Sequence, residues 1–127
     1  MIVLLDTCEF LWLASGDPSL PALVAEAVQS PANDVYLSAV SFWEICIKHA
    51  IGKLSLPQAP DIYVPLQRER HGIDSLSLDE AAVAKLPSLP AFHKDPFDRM
   101  LVCQAQAYGM TLATSDPLVR KYPVKCL

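Results

Sequence analysis

The opening run Ile2–Leu5 is continuously apolar and ends on an acid, Asp6. Four apolar residues in a row, with no polar alternation, mark a strand covered on both faces. Three further runs have strand length: Val35–Leu37, Ile73–Leu76 and Met110–Thr114. Between them the apolar residues recur at helical spacing, as in Leu20, Leu23, Val24, Ala27 and Val28, and again in Val40, Trp43, Ile47 and Ala50. This alternation predicts an α/β fold: a short parallel sheet of four to five strands, right-handed crossovers, and helices on both faces. A fifth strand is expected at Val124–Cys126, and the whole of 1–127 reads as one domain.

Punctuation residues give the helix ends. Ser15-Gly16 closes a first helical turn, and Asp17-Pro18 is expected to open the next helix. Ser38 caps a helix to about Ile51, stopped by Gly52. An amphipathic helix over 61–70 ends at His71-Gly72, and Ser77 with Glu80 has the spacing of a capping box. Asp95 caps a helix that starts with Pro96 and runs to Tyr108 before Gly109.

Of the 127 residues 52% are hydrophobic and 19% charged, enough for a core without disulfides. Cys8, Cys46, Cys103 and Cys126 form no CxxC pair and are expected to be reduced and buried. The N-terminus has no basic segment, and its apolar run is too short for a signal or a membrane span, so a cytoplasmic chain without membrane contact is expected. The net charge is −4. Binding nucleic acid by phosphate contacts alone calls for a basic protein. An anionic ligand would therefore need metal ions or a local basic patch.

Four isolated acids stand where elements begin or end: Asp6, Glu44, Asp98 and Asp116. Each has a bland reading. Asp6 and Asp116 are placed to cap the following helix, Glu44 is paired at i,i+4 with Lys48, and Asp98 suits the positive end of its helix. Asp17-Pro18 is the internal control, the same dipeptide with no strand leading into it. In a parallel sheet, ligands bind beyond the carboxyl ends of the strands. Asp6 and Asp116 follow strands at that edge. Four carboxylates gathered there would raise one another's pKa unless a cation joined them, and an all-oxygen donor set suits Mg²⁺ or Mn²⁺. One or two such ions among acids are suited to cutting phosphodiesters.

Taken together, Leu4-Leu5-Asp6-Thr7, Ser38-Ala39-Val40-Ser41-Phe42-Trp43-Glu44-Ile45, His93-Lys94-Asp95-Pro96-Phe97-Asp98-Arg99-Met100-Leu101 and Thr114-Ser115-Asp116-Pro117 resemble the PIN-domain ribonucleases, specifically the VapC-type toxins of toxin–antitoxin modules. The resemblance covers nearly the whole chain and implies a PIN-like three-layer fold. It implies a metal-dependent endoribonuclease acting on RNA, often tRNA or rRNA. In this chain Asp6, Glu44, Asp98 and Asp116 would hold Mg²⁺ or Mn²⁺ and activate water. Asp95, Ser41, Thr114 and Ser115 would orient them, and Arg99 and Lys48 would be candidates for phosphate contact or for salt bridges. A VapB-like antitoxin laid over the acids and a homodimer are also implied. Trp12, Trp43 and the apolar residues of 54–66 would serve either as interface or as core. The alternative is a PIN-like module that holds RNA or a protein without cutting it, its acids serving as caps and ion pairs.

Overall fold

The computed structural model describes Met1–Leu127. Strand β1 (Ile2–Leu5) is followed by α1 (Thr7–Ser15) and α2 (Ala22–Gln29). Then come β2 (Asp34–Ser38), α3 (Ala39–Ala50), α4 (Pro60–His71), β3 (Asp74–Leu76), α5 (Glu80–Val83), α6 (Pro96–Tyr108) and β4 (Thr111–Ala113). The sheet order is β3-β2-β1-β4, every pairing parallel. Val3 stands opposite Val35 on one side and Thr111 on the other. The chain thus builds outward from β1 in one direction, then returns to lay β4 on its free edge. That reversal leaves a crevice at the carboxyl ends of β1 and β4.

Side chains of β1 alternate between two cores. Leu4 joins Leu101, Val102, Leu112 and Met110 under α6. Val3 and Leu5 join Phe10, Val24, Leu37, Ile45 and Val64 beneath α1 to α4. The expected helices on both faces, and the three-layer arrangement, are therefore present.

Helix α3 begins as its sequence predicts, with the Ser38 hydroxyl accepting from Val40 N–H at 3.0 Å. Ser38→Ala is expected to lower stability by about 1 kcal/mol, read as a shift in urea midpoint at constant m-value. Helix α6 also follows its expected bounds. The Asp95 carboxylate accepts from the N–H groups of Phe97 and Asp98, and Gly109 closes the helix at φ 64°.

Elsewhere the structure corrects the expectations. Helix α2 does not open at Asp17-Pro18; it starts at Ala22, because Pro21 bars its predecessor from helical backbone. Asp17 instead holds a turn, accepting from Ser19 N–H at 2.8 Å. The cap of α5 is Asp79, not Ser77. The expected fifth strand is reduced to one parallel bridge, Leu112 to Cys126, just after Pro123, which has no N–H to extend a ladder. Of the four free cysteines only Cys103 is buried, and Cys8 is exposed. No helix is long and apolar enough to cross a membrane.

Candidate active site

At the β1/β4 crevice lies a cleft of about 240 Å³ lined by Asp6, Glu9, Glu44, Asp95, Asp98 and Asp116, with Lys48 as its one basic wall residue. All four acids singled out from the sequence meet here. Two are carried by strand ends and two by helices α3 and α6, so each reaches the cleft from a different element.

Asp6 occupies the N-cap position of α1, yet its side chain accepts no capping hydrogen bond. It is 6% exposed and takes a 2.7 Å hydrogen bond from the Thr114 hydroxyl at the end of β4. Burial raises its pKa, and the charges of Glu44 and Asp116 add to that, against the hydrogen bonds from Thr114 and the Thr7 backbone. The capping role that would make Asp6 merely structural is thus not the one it performs.

Glu44 is buried on α3. One oxygen accepts from Thr7 at 2.7 Å, and the other pairs with Lys48 one turn on. The capping box of Ser41 with Glu44 is not formed, since Ser41 lies inside the helix with its Oγ 2.9 Å from Thr7 Oγ1. Ser41 therefore reaches the site through Thr7, and Thr114 through its hydroxyl bond to Asp6. Ser115 contributes its N–H, but to Glu9 rather than to any of the four acids.

Asp98 sits in the first turn of α6. Its pKa is pushed up to about 7, first by burial and then by the charges of Asp6, Asp95 and Glu44, with His93 pulling the other way. Asp95 is the helix cap, its Oδ1 committed to Phe97 and Asp98 N–H. Asp116 accepts from Leu118 N–H through Oδ1 and meets His93 Nε2 at 2.8 Å through Oδ2. Burial works against the Asp116 carboxylate, but these hydrogen bonds and the His93 ring outweigh it and hold its pKa low.

Two participants escaped sequence reasoning. His93 heads the α6 motif, and its Nε2 lies 3.1 Å from Asp98 Oδ2 as well as 2.8 Å from Asp116 Oδ2. Its signal was an imidazole five residues before Asp98, but its partner on the β4 side is 23 residues away. Glu9 is fully buried in α1, a lone acid in an otherwise apolar helix face. Its Oε1 accepts from Ser115 N–H at 2.8 Å, while Oε2 has no partner. Burial raises its pKa, and the charge of Asp6 adds to it.

Two alternatives are removed here. Arg99 forms no salt bridge: it donates to the Leu89 carbonyl at 3.3 Å and lines an apolar pocket with Val40 and Trp43. Trp43 is not core: it is 58% exposed, its ring edge-on to Phe97 at 5.0 Å. Cys8, although exposed as a residue, turns its thiol toward the acidic cleft, where partial desolvation and the carboxylates of Asp6 and Glu44 push it up to about 11, so it offers no nucleophilic thiolate near neutral pH.

Six carboxylates facing one lysine need a further positive charge. The donors fit a hard divalent cation. They are oxygens from several elements, candidate ligand atoms of Asp98 and Asp116 lie within 4.8 Å of each other beside the His93 ring, and Glu9 Oε2 is a buried oxygen still lacking a partner.

A family model for the PIN domain matches residues 3–125. Over 114 residues the chain is 36% identical to Ribonuclease VapC16 of Mycobacterium tuberculosis, covering 84% of this chain and 77% of that protein. Among solved structures, it is similar to VapBC2 from Rickettsia felis bound to a promoter DNA fragment, with a TM-score of 0.75 at 14% identity over 100% of this chain and 98% of that one. It is also similar to VapBC-1 from nontypeable Haemophilus influenzae, with a TM-score of 0.64 at 18% identity over 100% and 97% of the two chains. A match across nearly the whole sequence, together with the parallel sheet and its acid-lined crevice, makes this chain a member of the PIN-domain family.

Proposed function

We propose that this protein is a metal-dependent endoribonuclease, the toxin of a toxin–antitoxin pair, working through Asp6, Glu44, Asp98 and Asp116. The convergence of these acids in one cleft at the β1/β4 crevice carries the reading. The identity to a protein named Ribonuclease VapC16 supports RNA as the substrate class. Mg²⁺ or Mn²⁺ would be held by the four acids, and when bound such an ion supplies Lewis-acid polarisation of the scissile phosphate and an acidified water.

The chain's own groups do the rest. Thr114 and Thr7 hold Asp6 and Glu44 in place through their hydroxyls. Asp98 stands in the cleft among Asp6, Asp95 and Glu44, where its carboxylate would help hold the ion and take a proton from attacking water. Lys48, tethered to Glu44 at the wall of the cleft, puts the cleft's one ammonium beside an incoming phosphate. The same reading implies a VapB-like antitoxin that covers the acids, a homodimer and a cytoplasmic location.

The test is cleavage of total RNA by the purified chain. Discrete fragments are expected with Mn²⁺ or Mg²⁺, none after EDTA, and cleavage again once the metal is restored. Cleavage that persists in EDTA would remove the metal from the mechanism. No cleavage with any divalent ion would return the chain to a binding role.

A further inference from the structure

The backbone N–H and both ring nitrogens of His93 are engaged. Its backbone N–H donates to the Tyr122 hydroxyl at 2.9 Å, and Tyr122 is buried. Its Nδ1 accepts from Asp95 N–H at 3.1 Å. Its Nε2 lies between Asp116 Oδ2 at 2.8 Å and Asp98 Oδ2 at 3.1 Å. The three ligand atoms are close enough together for one cation, which invites reading the imidazole as a nitrogen ligand.

The Asp95 amide argues against that reading. A nitrogen that accepts an N–H bond carries no proton itself. With Nδ1 so engaged, the ring is neutral with its proton on Nε2. In that tautomer Nε2 is a donor with no lone pair to give a metal. For Nε2 to ligate, the proton would have to move to Nδ1, facing the Asp95 N–H, and that amide is fixed by its place at the helix cap.

We propose that His93 is a positioning residue: its Nε2–H, set by the Asp95 amide, bridges the Asp98 and Asp116 carboxylates and holds them together for a shared cation without joining its coordination sphere. Away from the cleft, helix α6 reaches the segment after β4 through Gln106, whose amide donates to the Pro123 carbonyl at 3.3 Å. The bridge joins the two at the cleft mouth. This proposal rests on the carboxylate metal site proposed above. It extends that reading by making the site oxygen-only through the very residue that looks like its nitrogen ligand.

The experiment uses Mn²⁺ alone as probe on the full chain. Calorimetric titration of the wild type, His93→Ala and His93→Gln is paired with electron spin-echo modulation of Mn²⁺-loaded wild type. Loss of a group that orients a ligand costs roughly 10- to 100-fold in metal affinity, and that loss is expected for His93→Ala. The Gln amide nitrogen ends as many bonds from Cα as Nε2 and keeps a donor there, so His93→Gln is expected to restore most of the affinity. The wild-type spectrum is expected to lack the nitrogen modulation of a directly bound imidazole. Such modulation, Ala affinity equal to wild type, or Gln affinity as poor as that of a folded Ala variant would each overturn the proposal. If the Ala variant does not fold by circular dichroism, the spectrum and the Gln titration decide. A wild type that binds no Mn²⁺ overturns the metal site itself, a failure distinct from the others because it appears before any variant is compared.

Discussion

Asp98→Asn is expected to abolish RNA cleavage while making the metal-free protein more stable. The two effects have one cause. Asp98 is a carboxylate pressed among Asp6, Asp95 and Glu44 in a partly dry cleft. An amide of the same shape relieves that repulsion but supplies neither a negative ligand nor a proton acceptor. Losing a group that handles a proton in the transition state costs roughly 10²- to 10⁴-fold in rate, so kcat/KM on a defined RNA should fall by about three decades, or about 4 kcal/mol. The thermal midpoint in EDTA should rise. A variant that cleaves RNA at the wild-type rate would remove Asp98 from the chemistry, and a lower midpoint would mean that its charge is already compensated.

The second expected result is that the metal-free protein becomes less stable as pH rises from 4 to 8, the reverse of ordinary acid denaturation. The sign follows from linkage. The folded Asp98 pKa of about 7 lies above the ordinary aspartate value of 3.8. The folded state therefore holds this proton where the unfolded chain has released it. The contribution is complete below about pH 4 and is lost as pH rises through 7. Burial shifts Asp6 and Glu9 in the same direction, whereas Asp116 is shifted downward and acts only at the acid end. From Asp98 alone the span is roughly 4 kcal/mol at most. Saturating Mn²⁺ should flatten the profile, since the cation takes the proton's place. Denaturant midpoints at pH 5 and pH 8, with EDTA and with Mn²⁺, check this. Equal midpoints at the two pH values in EDTA would show that the acids do not feel one another in the free protein.

The parts of the fold visible in the sequence are those fixed by near neighbours. Asp95-Pro96 and Gly109 bracket α6 because a cap, a preset φ and a left-handed closing residue act within one or two turns. Strand β1 was legible because a strand covered on both faces excludes polar alternation, whereas β3 at the sheet edge is Asp74-Ser75-Leu76, its first two residues exposed. Asp17-Pro18 misled for the same local reason: it looked like a cap, and only Pro21 shows why the helix waits. The four acids could be found as anomalies, but their meeting depends on β4 returning to the free edge of β1, which no local pattern specifies. His93 and Glu9 were missed because each is defined by partners far along the chain, Asp116 for one and Ser115 for the other. Arg99 was misjudged because charge alone suggested solvent, whereas its guanidinium turns inward to a backbone carbonyl.

The Thr114–Asp6 hydrogen bond closes a loop of 108 residues. Contacts so distant in sequence form late, after the intervening chain has been synthesised and ordered. A nascent polypeptide extended only to residue 110 can pair β1 with β2 and β2 with β3, yet it has no Thr114 to hold Asp6 and no Asp116 to complete the cleft. The acid-lined cleft is thus one of the last things the chain can assemble as it is made.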